Sequence, residues 1–315
     1  MEITSNSTQT SSLDDSDPWS ATDYVIMVCI ILQPIIIILS IIGNSLVISN
    51  VCSSTKQTAF TRAKLSLAIS DLGCSAAAML SVIYTCMASY MVYRPWLETR
   101  IFEIASCMGL FFFVASVNSL AIMALQRFYA IKEPLKYMHL STQKQLISIT
   151  VAWISSFILL VLYLIYFLGD INFITKTVFN SLFLFACMLI PFAILIISTI
   201  AMLVVFLYDK NRNTINEVGV IVSRKDHERM VKITMFMVFG YFITCGPFMA
   251  TFLIVYLRVV NSTAQFRTSI VQMISDTLVL FTNLIDIVAY SLFDEHFRNY
   301  VKEVLYFKLF KRNQG

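Results

Sequence analysis

The sequence predicts an all-α membrane protein, a seven-transmembrane helix bundle followed by a short amphipathic eighth helix. Three observations carry that reading. Of 315 residues, 58% are hydrophobic and only 13% charged, with a mean hydropathy of +0.76, a balance that a water-soluble domain does not tolerate. Seven apolar stretches are each long enough to cross a bilayer as helix, which takes about 20 residues. Lys and Arg alternate between the connecting segments: those around 53–64, 127–144, 209–232 and 298–312 hold 3, 4, 6 and 5, while the segments between hold Arg94, Arg100, Lys176, Arg258 and Arg267. The positive-inside rule reads this as an extracellular N-terminus and a cytoplasmic C-terminus.

Residues 1–23 form a Ser/Thr-rich tail with Glu2, Asp14, Asp15, Asp17 and Asp23 and no Lys or Arg. It lacks the basic start and short apolar run of a cleaved signal peptide, so the first helix is expected to direct insertion itself. The sequon at Asn6 falls in this outer tail and is a glycosylation candidate. A second, at Asn261, is also on the outer side but close to a helix end.

The spans are expected near 24–50, 62–89, 100–130, 145–168, 178–208, 230–257 and 268–292. Residues 24–292 are therefore the membrane domain. The first span contains Gly43-Asn44. The second contains Asp71, a lone carboxylate in a long apolar run, where a charge demands a partner or a proton. The third stops at Arg127, which cannot sit unpaired in hydrocarbon and must face protein interior or reach water. Pro134 ends that helix a few residues on. Trp153 lies in the fourth span and Pro191 in the fifth. Thr244-Cys245-Gly246-Pro247 lies in the sixth, and Asn283, Asp286 and Tyr290 lie in the seventh. Residues 293–315 open with acids, end with bases and place Tyr300, Val301, Val304, Leu305 and Phe307 at helical spacing, as an in-plane amphipathic helix and tail would.

Gln126-Arg127-Phe128 with the following Ala-Ile segment and Pro134-Leu135 resembles the third-helix motif of rhodopsin-like G-protein-coupled receptors. Asn44, the Leu-Ala-x-x-Asp ending at Asp71, Trp153, Pro191, Pro247 and Tyr290 follow in that family's order, so the resemblance runs from about Tyr24 to Phe307. It implies a receptor whose partners are an extracellular ligand, a heterotrimeric G protein and the plasma-membrane bilayer, with no nucleic acid. It implies a coupling and switch site at Gln126, Arg127, Phe128, Pro134, Leu135, Pro247 and Tyr290. It also matches Asn44, Asp71, Ser116, Asn283 and Asp286 to a sodium pocket, so the two carboxylates are expected to bind sodium or share a proton. No other metal and no cofactor is expected.

Several positions depart from the family pattern. The acid before the motif Arg is Gln126, the hinge Trp is Cys245, and Asn-Pro of the seventh span reads Asp286-Ile287. Gln126 offers Arg127 only a neutral hydrogen bond, and the sixth-span brake position is His227, flanked by Asp226 and Glu228. Phe102 stands where the family carries its bridging Cys, and the second outer loop has no cysteine, so all seven thiols are expected to be free. No Lys lies between Arg267 and Lys302, which excludes retinal, and Gly109 replaces the Asp of amine receptors. Glu103, Gly109, Phe112 and Tyr256 are the candidate ligand-pocket residues. A small molecule, a lipid or a short peptide all remain open.

A transporter would line a path with polar residues and repeat its halves, and few inner polar residues and no inverted repeat are found. An intramembrane enzyme would need a nucleophile and base or a metal-ligand set, and His139, His227 and His296 lack that spacing. A non-signalling receptor relative and a transporter are the alternatives to a receptor.

Overall fold

The computed structural model describes residues 21–54, 58–90, 95–139, 141–168, 189–212, 224–259 and 265–310; the side chains of 85–103 and 251–270 are also outside that description. The described residues are helical apart from short joints, and seven of their helices are long and apolar enough to cross a membrane. These are Ala21–Ser53, Ala59–Tyr90, Pro95–Lys132, Thr142–Leu168, Ile190–Arg212, Arg224–Val259 and Gln265–Phe293, here called the first to seventh spans. Most run several residues beyond the apolar stretches. A helix need not stop where hydrocarbon does, because its polar end turns keep their backbone bonds in water.

The third span breaks at Glu133, and Pro134 opens a one-turn helix, Pro134–Met138, as its missing N–H allows at a first helical position. The C-terminal helix, Glu295–Phe310, starts at Asp294, whose Oδ1 accepts the backbone N–H groups of His296 (3.1 Å) and Phe297 (3.3 Å). This carboxylate caps two of the helix's orphan donors.

The third span is the axis of the bundle, packed on the second, fourth, fifth and sixth spans, while the first leans on the second and seventh. Burial follows: 56% of the third span's most apolar window is buried against 11% of the fourth's. Ile147, Val151, Ile154, Ile158 and Ile165 of the fourth span face outward, as lipid-facing residues do. Polar contacts hold this peripheral helix instead: Arg62 donates to Gln145 Oε1 (2.8 Å), the Trp153 indole to Ser66 Oγ (2.9 Å), and Asn118 to Ser155 (3.3 Å) and Ser156 (3.2 Å).

Three glycines let helices close on one another. Gly43 receives the side chain of Ile287; a Cβ on Gly73 would lie 2.5 Å from the Phe112 ring, and one on Gly240 2.7 Å from Ile285. The seventh span is thus keyed into both the first and the sixth.

Candidate functional site

Arg127 is only 2% exposed at the basic end of the third span. Its Nη1 donates to the backbone oxygen of Met230 (2.5 Å) and to Thr234 Oγ1 (2.8 Å), both on the sixth span. Phe60 of the second span lies under the guanidinium, 4.3 Å from ring centroid to Cζ. Nε and Nη2 are buried with no hydrogen-bond partner, and so is Oε1 of Gln126. The expected neutral bond from Gln126 to Arg127 is therefore not made. The sixth-span contact is at Met230 and Thr234, about one to two turns from His227, whose side chain is outside the described residues. Thr234 carried no charge to mark it in the sequence.

Phe128 packs with Ile131, Met202, Val205, Phe206, Val231 and Met235, in the wedge between the third, fifth and sixth spans. Leu135 is 48% exposed beyond the helix break, and nothing is described of the Pro134 side chain. Pro247 lies inside the sixth span. Beside it Thr244 Oγ1 meets Thr282 Oγ1 at 2.9 Å, and Cys245 Sγ lies 3.4 Å from the same hydroxyl. Small polar contacts to the seventh span thus occupy the level where the family places an indole.

Tyr290 is buried, with its hydroxyl 3.8 Å from Met123 Sδ. Over its ring, at 3.9 Å, lies the ammonium of Lys64, which also pairs with Asp294 Oδ2 at 2.9 Å. Lys64 counts as a loop cation in the sequence, yet it is 3% exposed within the second span. Burial pushes the Asp294 carboxyl up. The charge and hydrogen bond of Lys64, the Phe297 N–H and the charge of His296 outweigh that and hold it below its ordinary value.

Deeper in the bundle, Asp71 and Asp286 are both buried and their carboxyl groups face each other. Ser116 donates to Asp71 Oδ1 at 2.5 Å, and Oδ2 has no hydrogen-bond partner. Asn44 donates to Ser40 Oγ (3.2 Å) and to the Asn283 carbonyl (3.3 Å), Asn283 donates to Ser75 Oγ (3.2 Å), and Ser40 and Ser75 are 2.7 Å apart. The five polar residues singled out in the sequence thus lie on four spans, with Asn44 and Asn283 also linked through two serines it did not single out. Ser40 and Ser75 were findable, each lying one helical turn from a marked residue, at Asn44 and Asp71.

The outer half is placed differently from the expectation at one position. Phe112 fills the space at Gly73 and meets Trp153 nearly perpendicularly (82°, 6.3 Å), so its ring is packed between the second and fourth spans rather than facing the bundle axis. Its neighbour Phe113 faces the sixth span, edge-on to Phe248 at 6.5 Å. Gly109 lies against Ala77. The side chains of Glu103 and Tyr256, and the sequons at Asn6 and Asn261, fall outside the described residues.

A family model described as 7 transmembrane receptor (rhodopsin family) matches residues 43–290, most of the chain. The protein belongs to the rhodopsin-like family of seven-transmembrane receptors. The octopamine receptor beta-1R of Drosophila melanogaster is 31% identical over 147 residues, 46% of this chain. The match spans 28% of that relative's length.

Proposed function

We propose that the protein is a G-protein-coupled receptor of the plasma membrane. It binds an extracellular small molecule, lipid or short peptide at the outer ends of its spans and activates a heterotrimeric G protein at the end that carries Arg127. The observation that supports this is the junction of Arg127 with Met230 and Thr234. Those bonds go to neutral acceptors on the neighbouring span, so they are exchangeable when the fifth and sixth spans part. A ligand that binds the parted arrangement more tightly shifts its population. Arg127 then meets the G protein, and the exposed Leu135 enters an apolar pocket on it. The concentration of Lys and Arg in the segments at this end supports its lying in the cytoplasm, with the N-terminus outside.

The relative's name includes octopamine. Gly109 stands where amine receptors of this family carry Asp, so we do not assign a protonated amine here. Asp71 and Asp286 with Ser116 and Asn283 offer oxygen donors, including the unpartnered Asp71 Oδ2, which suits a hard monovalent cation such as sodium. Bound there, sodium would compensate the two carboxylates; without it, they share a proton. A non-signalling receptor relative is the second reading, favoured by Ile287, seated against Gly43 where the family has proline.

The test is guanine-nucleotide exchange on a panel of co-expressed G proteins, with wild type and Arg127→Ala at matched surface density. Exchange that depends on Arg127 supports coupling. No exchange on any G protein, with or without a ligand library, favours the second reading.

A further inference from the structure

A buried lysine at the end of a membrane helix requires a reason, because its charge is costly to remove from water. Lys64 is held in three ways at once. Its ammonium pairs with Asp294 at 2.9 Å and lies 3.9 Å from the ring centroid of Tyr290 and 5.1 Å from that of Phe297. These three partners belong to the end of the seventh span and the first turn of the C-terminal helix, while Lys64 belongs to the second span. Among the described residues two other polar contacts tie the C-terminal helix down, beside the buried Phe297 ring: Ser49 to Tyr300 at 2.6 Å and Arg229 to Glu295 at 2.8 Å. Both are exposed, and exposed pairs hold little. Lys64–Asp294 is the buried one.

Arg127 sharpens the point. It lacks an acidic neighbour in the sequence, and its bonds go to neutral atoms.

We propose that Lys64 and Asp294 form the lock of the resting arrangement, clamping Tyr290 and the start of the C-terminal helix to the second span, in place of the restraint that Gln126 does not supply. This rests on the receptor reading given above. Opening the bundle requires Tyr290 to leave the ammonium, and while Asp294 fixes that ammonium the tyrosine stays.

The variants are Lys64→Met, which keeps an apolar side chain against Tyr290 and removes the cation at that position, and Asp294→Asn, which keeps the helix cap. The charge swap Lys64→Asp with Asp294→Lys is the third. Ligand-free nucleotide exchange is measured at matched surface density, and hydrogen–deuterium exchange of amides 295–304 is measured on protein in lipid nanodiscs. Lys64→Met and Asp294→Asn are expected to raise ligand-free signalling at least about fivefold and to speed amide exchange, with the swap returning signalling toward wild type while its amide exchange stays fast, because lysine cannot accept the capped N–H groups of His296 and Phe297. Unchanged amide exchange in Lys64→Met overturns the clamp. Faster amide exchange with signalling equal to a signalling wild type overturns the lock. Faster amide exchange with no signal from wild type or any variant supports the clamp and overturns G-protein coupling, so the two ideas fail separately.

Discussion

Thr234 Oγ1 lies 2.8 Å from Nη1 of Arg127 and itself donates to the Met230 carbonyl, so one hydroxyl both receives the arginine and shares its second acceptor. Hydrogen bonds to charged groups contribute roughly 1.5–3 kcal/mol, and about 1.4 kcal/mol shifts a two-state ratio tenfold. Thr234→Val keeps the shape and removes the bond. It is expected to raise ligand-free nucleotide exchange severalfold. Gln126→Asp, which supplies the missing acid beside the arginine, lowers it. Basal G-protein activation across these two variants and Arg127→Ala is the measurement; Thr234→Val at or below wild type would show that this contact restrains nothing.

The facing carboxylates predict a sodium-dependent stability. A cation that binds only the folded protein raises its melting temperature with concentration. Purified wild type should melt higher in sodium chloride than in N-methylglucamine chloride at equal ionic strength. Asp71→Asn and Asp286→Asn should lose the difference. Equal melting of wild type in both salts leaves the shared proton as the way the pair is kept neutral.

Asp294 sets the behaviour in acid. Its carboxyl is held below the ordinary value, so its contribution to stability is full above the unfolded value, near 4, and is lost as pH falls through the folded value. The melting-temperature gap between wild type and Asp294→Asn should be constant from about pH 5 to 7 and narrow below about pH 4. A gap that widens in acid would contradict the pairing with Lys64.

Gly240 predicts a packing defect that one compensating change repairs. A Cβ there would stand 2.7 Å from Ile285, and overpacking of this kind costs about 1–3 kcal/mol. Gly240→Ala should lower the melting temperature, and Gly240→Ala with Ile285→Val should recover part of it. Additive losses in the double variant would mean that the two residues do not meet.

The thiols give a chemical check. Cys29, Cys52, Cys74, Cys107 and Cys245 are free, and Cys86 and Cys187 lie outside the described side chains. Mass spectrometry of alkylated, unreduced protein should find all seven thiols modified.

The spans were legible because apolar length is a local property, and their ends were not, because polar turns prolong a helix without an apolar signal. Asp71 and Asp286 stood out as carboxylates within apolar runs. Lys64 did not: its place at the edge of a span reads as a loop charge, and its partner lies 230 residues away. Phe111-Phe112-Phe113 shows a different limit. Three aromatic residues in a row carry no helical phase, so the sequence could not say that Phe113 turns to the sixth span while Phe112 turns to Gly73.

The fourth span shows how a helix can be registered without being buried. Gln145, Trp153 and the Ser155–Ser156 pair are spread over about 16 Å of helix rise, and each meets a fixed polar group on the second or third span. Lipid offers no substitute donors or acceptors. A slide of one turn along the membrane normal would therefore break every one of these contacts together, with nothing in the hydrocarbon to replace them. They act as index pins on an otherwise greasy rod, fixing its height in the bilayer while leaving its outer face free to follow the lipid.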